Sequence, residues 1–328
     1  MAKQDNIVEI GLVRYPDCMI SAVYGLADLF RMANFMASRH EGLQRPMIRV
    51  SQWLQSADEA EMICVEDTHP GLPNNPTMLI VAPSIVEPKK IPVENVMCQW
   101  LVGHHQQGVM VSSVCAGAFV LASAGLLKER RVTTHWMFAE SLAVQFPDVT
   151  VDADRMMIDD GDIITAGGVM AWTDLGLRLV QRVMGPSIML ETARFLLVDP
   201  SGREQSFYSN FSPKLHHGDQ QILKVQHWLQ SNGARNVSVS MMATQAGMEE
   251  RTFLRRFQKA TGIRPTEYSQ SVRIGKAREM LEFTKQNIAQ IAWATGYEDP
   301  GAFRKVFQKM MGLTPGEYRT RFSMTKAA

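Results

Sequence analysis

The chain has 328 residues, 45% of them apolar and 20% charged, with a net charge of +1. That length suits about two domains of roughly 150 residues each. No apolar run reaches the ~18 residues of a membrane span, and the opening MAKQDNIVEI lacks the apolar stretch of a secretory signal, so a cytoplasmic protein without membrane attachment is expected.

Residues 7 to 198 alternate strand-like and helical patterns. IVEIGLVRY reads as a strand and CMISAVYGLADLFRMANFMAS as a helix. MIRVSQWL and TMLIVAP are strand-like, VENVMCQWLVGHHQQ is helical, and GVMVSSVC is another buried strand. AGAFVLASAGLL is helical, RMMIDDGDIITAGG reads as a hairpin turning at Asp159 to Gly161, and VMAWTDLGLRLVQRVMG is a long amphipathic helix. Strands alternating with helices predict an α/β fold with a mostly parallel sheet flanked by helices. DPSGREQSFYSNFSPKLHHGD is rich in Ser, Gly, Pro and Asp, so a linker is predicted there. The expected division is residues 1–200, a linker at 201–218, and an all-α domain at 219–328.

The charge is segregated. Residues 213–328 carry 18 Lys/Arg against 9 Asp/Glu, a net of +9, and the rest of the chain is at −8. A small basic part points to a polyanion partner. The same part repeats itself: MATQAGMEERTFLRRFQKATGIRPTEY lies over IAWATGYEDPGAFRKVFQKMMGLTPGEY. Gly247 matches Gly296, Phe253 Phe303, Phe257 Phe307, Gly262 Gly312, Pro265 Pro315 and Tyr268 Tyr318, at an offset of 49 and then 50 residues. Each copy reads as helix, glycine turn, helix. The first helix of copy one would bury Met241, Met242 and Ala246. The second helices would bury Phe253 and Phe257, or Phe303 and Phe307, and face outward with Arg251, Arg255 and Lys259, or Arg304, Lys305 and Lys309. The alternative is a helical bundle with a solvated basic face, which two basic copies in register argue against.

These residues resemble the DNA-binding domain of the AraC/XylS transcription regulators. The resemblance implies seven helices, with two recognition helices entering successive major-groove segments and a connecting helix from Thr266 to Thr284 between them. Carried over by position, the DNA-facing residues are Arg251, Leu254, Arg255 and Lys259 in the first unit and Gly301, Ala302, Arg304 and Lys305 in the second. The second unit begins DPGAF, without a long polar side chain in its first turn, so phosphate contacts or a thymine methyl read by Ala302 are expected there.

In SSVCAGAFVLASAGLLKERRVTTHW, Cys115 sits where a buried strand meets a helix, with small residues Ser113, Ala116 and Gly117 around it. That is the pattern of a nucleophile elbow, and a helix start would favour the thiolate. This stretch and DIITAGGVMAWTDLGLRLV resemble the PfpI type of the class I glutamine amidotransferase-like fold. That type joined to an AraC/XylS-type domain is the layout of the GlxA-like regulators. Enzymes of the fold commonly have a histidine after the cysteine and an acid in the first strand–helix region; here those places hold Ala116 and Ala22. VAPS supplies Pro83, which has no N–H to donate to an oxyanion. The elbow is therefore expected to be a ligand pocket lined by Cys115, Ala116 and His135, with no catalytic residue.

His104–His105 and His216–His217 lack further ligands at metal spacing, and GxGxxG is absent, so neither metal nor cofactor is expected. The four cysteines are scattered and never form CxxC, as in reduced thiols. The overall expectation is a transcription activator: promoter double-stranded DNA, RNA polymerase and a small-molecule effector as partners, and a homodimer as the working form. The alternative is a cysteine-dependent amidohydrolase or hydratase with a DNA-binding appendage.

Overall fold

The computed structural model describes residues 7–40, 47–56, 61–86, 95–199, 204–208, 211, 213–215 and 217–324. The chain divides into two compact units, Met1–Gln205 and Ser206–Ala328. Much of the predicted linker, with His216, lies outside the described residues. The part that is described is not all free chain. Glu204 bridges to Arg155, a short 3-10 turn covers Gln205–Phe207, and Gln205 and Phe207 are buried.

In the first unit the order is β1 (Ile7–Val13), α1 (Ile20–Ser38), β2 (Met47–Gln55), β3 (Met62–Asp67), β4 (Met78–Val81), α2 (Asn95–Gln106), β5 (Met110–Val114) and α3 (Gly117–Ser123). Then come β6 (Arg131–Val132), α4 (Ala139–Gln145), β7 (Thr150–Val151), β8 (Met157–Asp159), β9 (Ile163–Ala166), α5 (Trp172–Met184) and α6 (Pro186–Leu196). A seven-stranded sheet runs β3-β2-β1-β4-β5-β9-β8. Its interior pairs are parallel, and the edge strands β3 and β8 are antiparallel. β4 and β9 are buried along their whole length, as strands covered on both faces must be. The strand order reverses between β1 and β4. The carboxyl ends of β1, β4 and β5 therefore meet at the switch point where open α/β sheets bind ligands.

One polar cluster inside this unit is densely bonded. Arg49 on β2 donates to Asp67, to the Leu72 and Pro73 carbonyls and to Asn74, and lies 3.3 Å from Glu9. Glu9 in turn accepts from Ser51 at 2.6 Å and from the Asn75 amide at 2.8 Å. This cluster ties the 68–76 loop to the sheet.

The second unit contains α7 (Gln220–Ser231), α8 (Val239–Ala246), α9 (Glu250–Thr261), α10 (Pro265–Phe283), α11 (Ile288–Ala294), α12 (Pro300–Met311) and α13 (Pro315–Phe322). The helix starts are written in the sequence. Asp219, Ser238, Asn287, Asp299 and Thr314 cap five of them with side-chain oxygens, and prolines open α10, α12 and α13. Two separate cores form. Phe253, Phe257, Tyr268 and Val272 belong to one, and Ile274, Leu281, Phe303, Phe307 and Tyr318 to the other. α10 contributes to both. Among the described residues no helix is long and apolar enough to cross a membrane.

Two sequence expectations change. Met241 does not join the apolar face of α8; it is 49% exposed, and Ala243 is buried with Met242 and Ala246 instead. The connecting helix begins at Pro265 and ends at Phe283, a residue earlier at each end.

Candidate functional sites on the recognition helices and at the Cys115 elbow

Each unit of the basic part turns on a glycine. Gly247 ends α8 at φ 64°, and Gly296 precedes α12 at φ 83°, conformations an L side chain rarely adopts. The second helix of each unit then shows two faces. On α9, Phe253 and Phe257 are buried, and Arg251, Leu254, Arg255 and Lys259 are exposed. On α12, Phe303 and Phe307 are buried, Ala302, Arg304, Lys305 and Lys309 are exposed, and Gly301 is half-buried. Arg251, Arg255 and Lys259 make no ion pair with a described residue, whereas Arg256 is turned away and bound to Asp219.

The same faces carry residues that sequence reasoning passed over. Gln258 and Gln308 are exposed one turn beyond Arg255 and Lys305, at matching places in the two copies. Their repetition within FQK was the available signal. The two helix starts also differ. Asp299 accepts from the Gly301 and Ala302 amides, both at 2.9 Å, and these bonds hold its carboxyl below the usual range. The Gly301 and Ala302 amides at the start of α12 are thus occupied by Asp299.

Family comparison reaches the same division: residues 242–321 match the helix-turn-helix domain family, and residues 76–182 match the DJ-1/PfpI family. The chain joins a DJ-1/PfpI domain to an AraC-type helix-turn-helix domain. It is similar to the HTH-type transcriptional regulator GlxA of Rhizobium meliloti (strain 1021), 28% identical over 65% of this chain and 66% of that protein. That match spans just under two thirds of the relative. It is also similar to the HTH-type transcriptional regulator GbdR of Pseudomonas aeruginosa (strain UCBPP-PA14), 23% identical over 96% of this chain and 84% of that protein. A shorter match, 37% identical over 24% of this chain and 33% of the relative, is to isonitrile hydratase of Pseudomonas putida.

The DJ-1/PfpI domain keeps the shape of a nucleophile elbow. Cys115 sits at φ 53° between β5 and α3. A Cβ added at Gly117 would meet the Val81 carbonyl oxygen at 2.9 Å, so the helix start approaches β4 too closely for a side chain. The chemistry is another matter. Cys115 is fully buried, and burial pushes its thiol up to about 12, against the lesser pull of the Ala116 amide. The expected gain from the helix start is outweighed by desolvation. The Cys115 Sγ lies 4.0 Å from the Ser84 carbonyl oxygen. The Cys115 amide is spent on the Ala166 carbonyl, at 2.7 Å.

No hydrogen bond joins His135 to the Cys115 thiol among the described residues. The His135 Nδ1 accepts from the Met137 amide at 3.2 Å, and its ring packs against Trp136 and Phe138. Burial lowers its pKa. Ala116 and Ala22 are buried and carry no acid or base. Asp17 is exposed, and its carbonyl accepts from Ser84 Oγ at 2.9 Å. Among the described residues no group of three or more His, Cys, Asp or Glu is placed to hold a metal ion.

Proposed function

We propose that the chain is a DNA-binding transcription regulator whose first unit senses a small molecule and does not turn it over. The observation that carries this is the doubled unit: two glycine-turned helix pairs, each with paired phenylalanines inside and exposed cations outside. Arg251, Leu254, Arg255, Gln258 and Lys259 form the DNA face of the first unit, and Gly301, Ala302, Arg304, Lys305 and Gln308 that of the second. Two of the three named relatives, GlxA and GbdR, are HTH-type transcriptional regulators, and they support this reading. We read the chain as an activator that acts in the cytoplasm as a homodimer, contacts RNA polymerase at the promoter, and needs no cofactor. In this reading the effector lies at the elbow, against Cys115, Ala116 and His135, and shifts the population of DNA-competent forms. Selection of binding sites from random double-stranded DNA with the intact chain tests the proposal; recovery of no enriched sequence overturns it.

The hydratase reading has in its favour the strained φ of Cys115 and the short match to isonitrile hydratase, and against it a buried thiol pushed up to about 12 with no base hydrogen-bonded to it. Turnover assays on nitrile, isonitrile and amide substrates, comparing the intact chain with Cys115→Ala, separate the two. Loss of a measurable rate in the variant would establish the enzyme.

A further inference from the structure

Gln205 is the residue at which the first unit ends, in a stretch that reads as linker, yet it is 1% exposed. Its side-chain amide is enclosed by partners. Nε2 lies 3.0 Å from Thr133 Oγ1, 2.8 Å from the Thr134 carbonyl and 2.9 Å from the Arg155 carbonyl. Oε1 accepts from the Trp136 amide at 3.0 Å. The Gln205 backbone amide donates to the Asp154 carbonyl at 2.9 Å. A Cβ added at Gly167 would come within 2.0 Å of Nε2, so the glycine makes room for this amide. A glutamine buried without partners is costly, and one satisfied on every side is a built feature.

The loop that Gln205 grips is bonded on its other side to the elbow. Thr134 Oγ1 donates to the carbonyl of Cys115 at 2.8 Å, and Thr133 N donates to Thr165 Oγ1 at 2.9 Å. Thr133, Thr134 and Cys115 are fully buried. A chain of bonds thus runs from the Cys115 carbonyl through Thr134 to Gln205 and to the point where the first unit ends. Neither DNA recognition nor a thiol reaction needs it.

We propose that Gln205 is a positioning residue that carries the backbone state of the Cys115 elbow to the segment leading into the DNA-binding unit. The proposal rests on the regulator reading for its purpose, though not for its test. Cys115 holds a positive φ, a strained state for a residue with a Cβ, so the elbow has a relaxed alternative to move toward. A molecule seated against the elbow that moves the Cys115 carbonyl breaks the Thr134 bond and frees the loop that Gln205 reads. The bonds from the Cys115 carbonyl to Gln205 form one contiguous physical network.

The test uses the full chain and needs neither DNA nor effector. Thr134→Val removes the hydroxyl at constant shape, Thr134→Ser retains it, and Gln205→Ala removes the amide. Hydrogen exchange is followed in peptides covering 204–208 and 115–120. Thr134→Val is expected to speed exchange at 204–208 about tenfold, the loss of one hydrogen bond, and Thr134→Ser to leave it unchanged. Gln205→Ala is expected to speed exchange at 115–120, and the double variant to be no faster than the faster single one. Effects confined to each variant's own segment, or adding in the double variant, overturn the proposal. If Gln205→Ala does not fold, the contrast between Val and Ser at 134 decides alone. Should the coupling hold while site selection finds no enriched DNA, the regulator reading fails and the relay stands.

Discussion

Arg256 grips Asp219 through Nε and Nη2, at 2.9 and 2.8 Å, while Asp219 also caps the start of α7. The arginine next to it in sequence, Arg255, points the other way and binds nothing described. One of these neighbours is therefore structural and the other is available. Arg256→Ala should lower the stability of the DNA-binding unit by about 1 kcal/mol, because the pair is half exposed, and leave base preference intact. Urea unfolding together with binding-site selection checks this; an altered consensus would refute it.

Arg255→Ala should flatten preference at one base pair, at a cost of about 1–3 kcal/mol, since arginine is the commonest bidentate reader of guanine. Lys305→Ala should weaken all sequences alike, because the capped start of α12 leaves this helix to its cations. Site selection on both variants decides. If Lys305→Ala alters the consensus and Arg255→Ala does not, the roles are reversed.

Binding should fall steeply with salt. With about six phosphate contacts, affinity should drop on the order of a thousandfold between 50 and 200 mM salt. A titration by fluorescence anisotropy at several salt concentrations gives the slope, and a flat response would rule out the electrostatic face.

With its thiol pushed up to about 12 from an ordinary 9.0, Cys115 is ionised at pH 7 on the order of one part in 100,000. Alkylation of the folded chain at Cys115 should be very slow and should rise about tenfold per pH unit. The linked stability follows in sign. The folded pKa is raised, so the contribution is complete below pH 9 and is lost as pH climbs toward 12. The steepest loss is about 1.4 kcal/mol per pH unit for this group. Urea unfolding at pH 8, 9 and 10 should show the decline, and Cys115→Ala should be less steep. Equal slopes would mean that the thiol is not held neutral.

Truncating Phe253 or Phe303 to alanine should cost about 3–5 kcal/mol each, and each loss should be felt mainly in its own core. Exchange protection of α9 and α12 in the two variants separates the cores. A uniform loss across both would show that α10 binds them into one.

The doubled unit was legible because its signals are local. A turn glycine, two phenylalanines four apart and a closing proline lie within about 20 residues of one another, and the copies reinforce them. Met241 was misplaced because the apolar run Met241–Met242–Ala243 fits a core in more than one rotation of α8, and the choice is made by contacts outside α8. β6 and β7 have only two residues each and leave no period to read; β3 is an edge strand whose last two residues are acidic; α6 starts at a proline just past the end of α5. The elbow was legible as a turn but not as a chemical environment, because the depth of Cys115 is set by strands far away in sequence. Gln205 was invisible for the same reason. Its partners lie 50 to 72 residues away, and a glutamine in a polar run carries no mark of them.

α10 is a single 19-residue helix whose first half is anchored in one core and second half in the other. Such a rod behaves as a gear train of fixed phase. Adding or removing one residue advances one reader by about 1.5 Å and rotates it by about 100° relative to its twin, and no small whole number of residues restores both distance and angle. The separation of the two DNA contacts is thus quantised by helix geometry and closed to gradual drift. On the proposed reading, change of target comes from the exposed side chains of α9 and α12, while the ruler between them stays the same length.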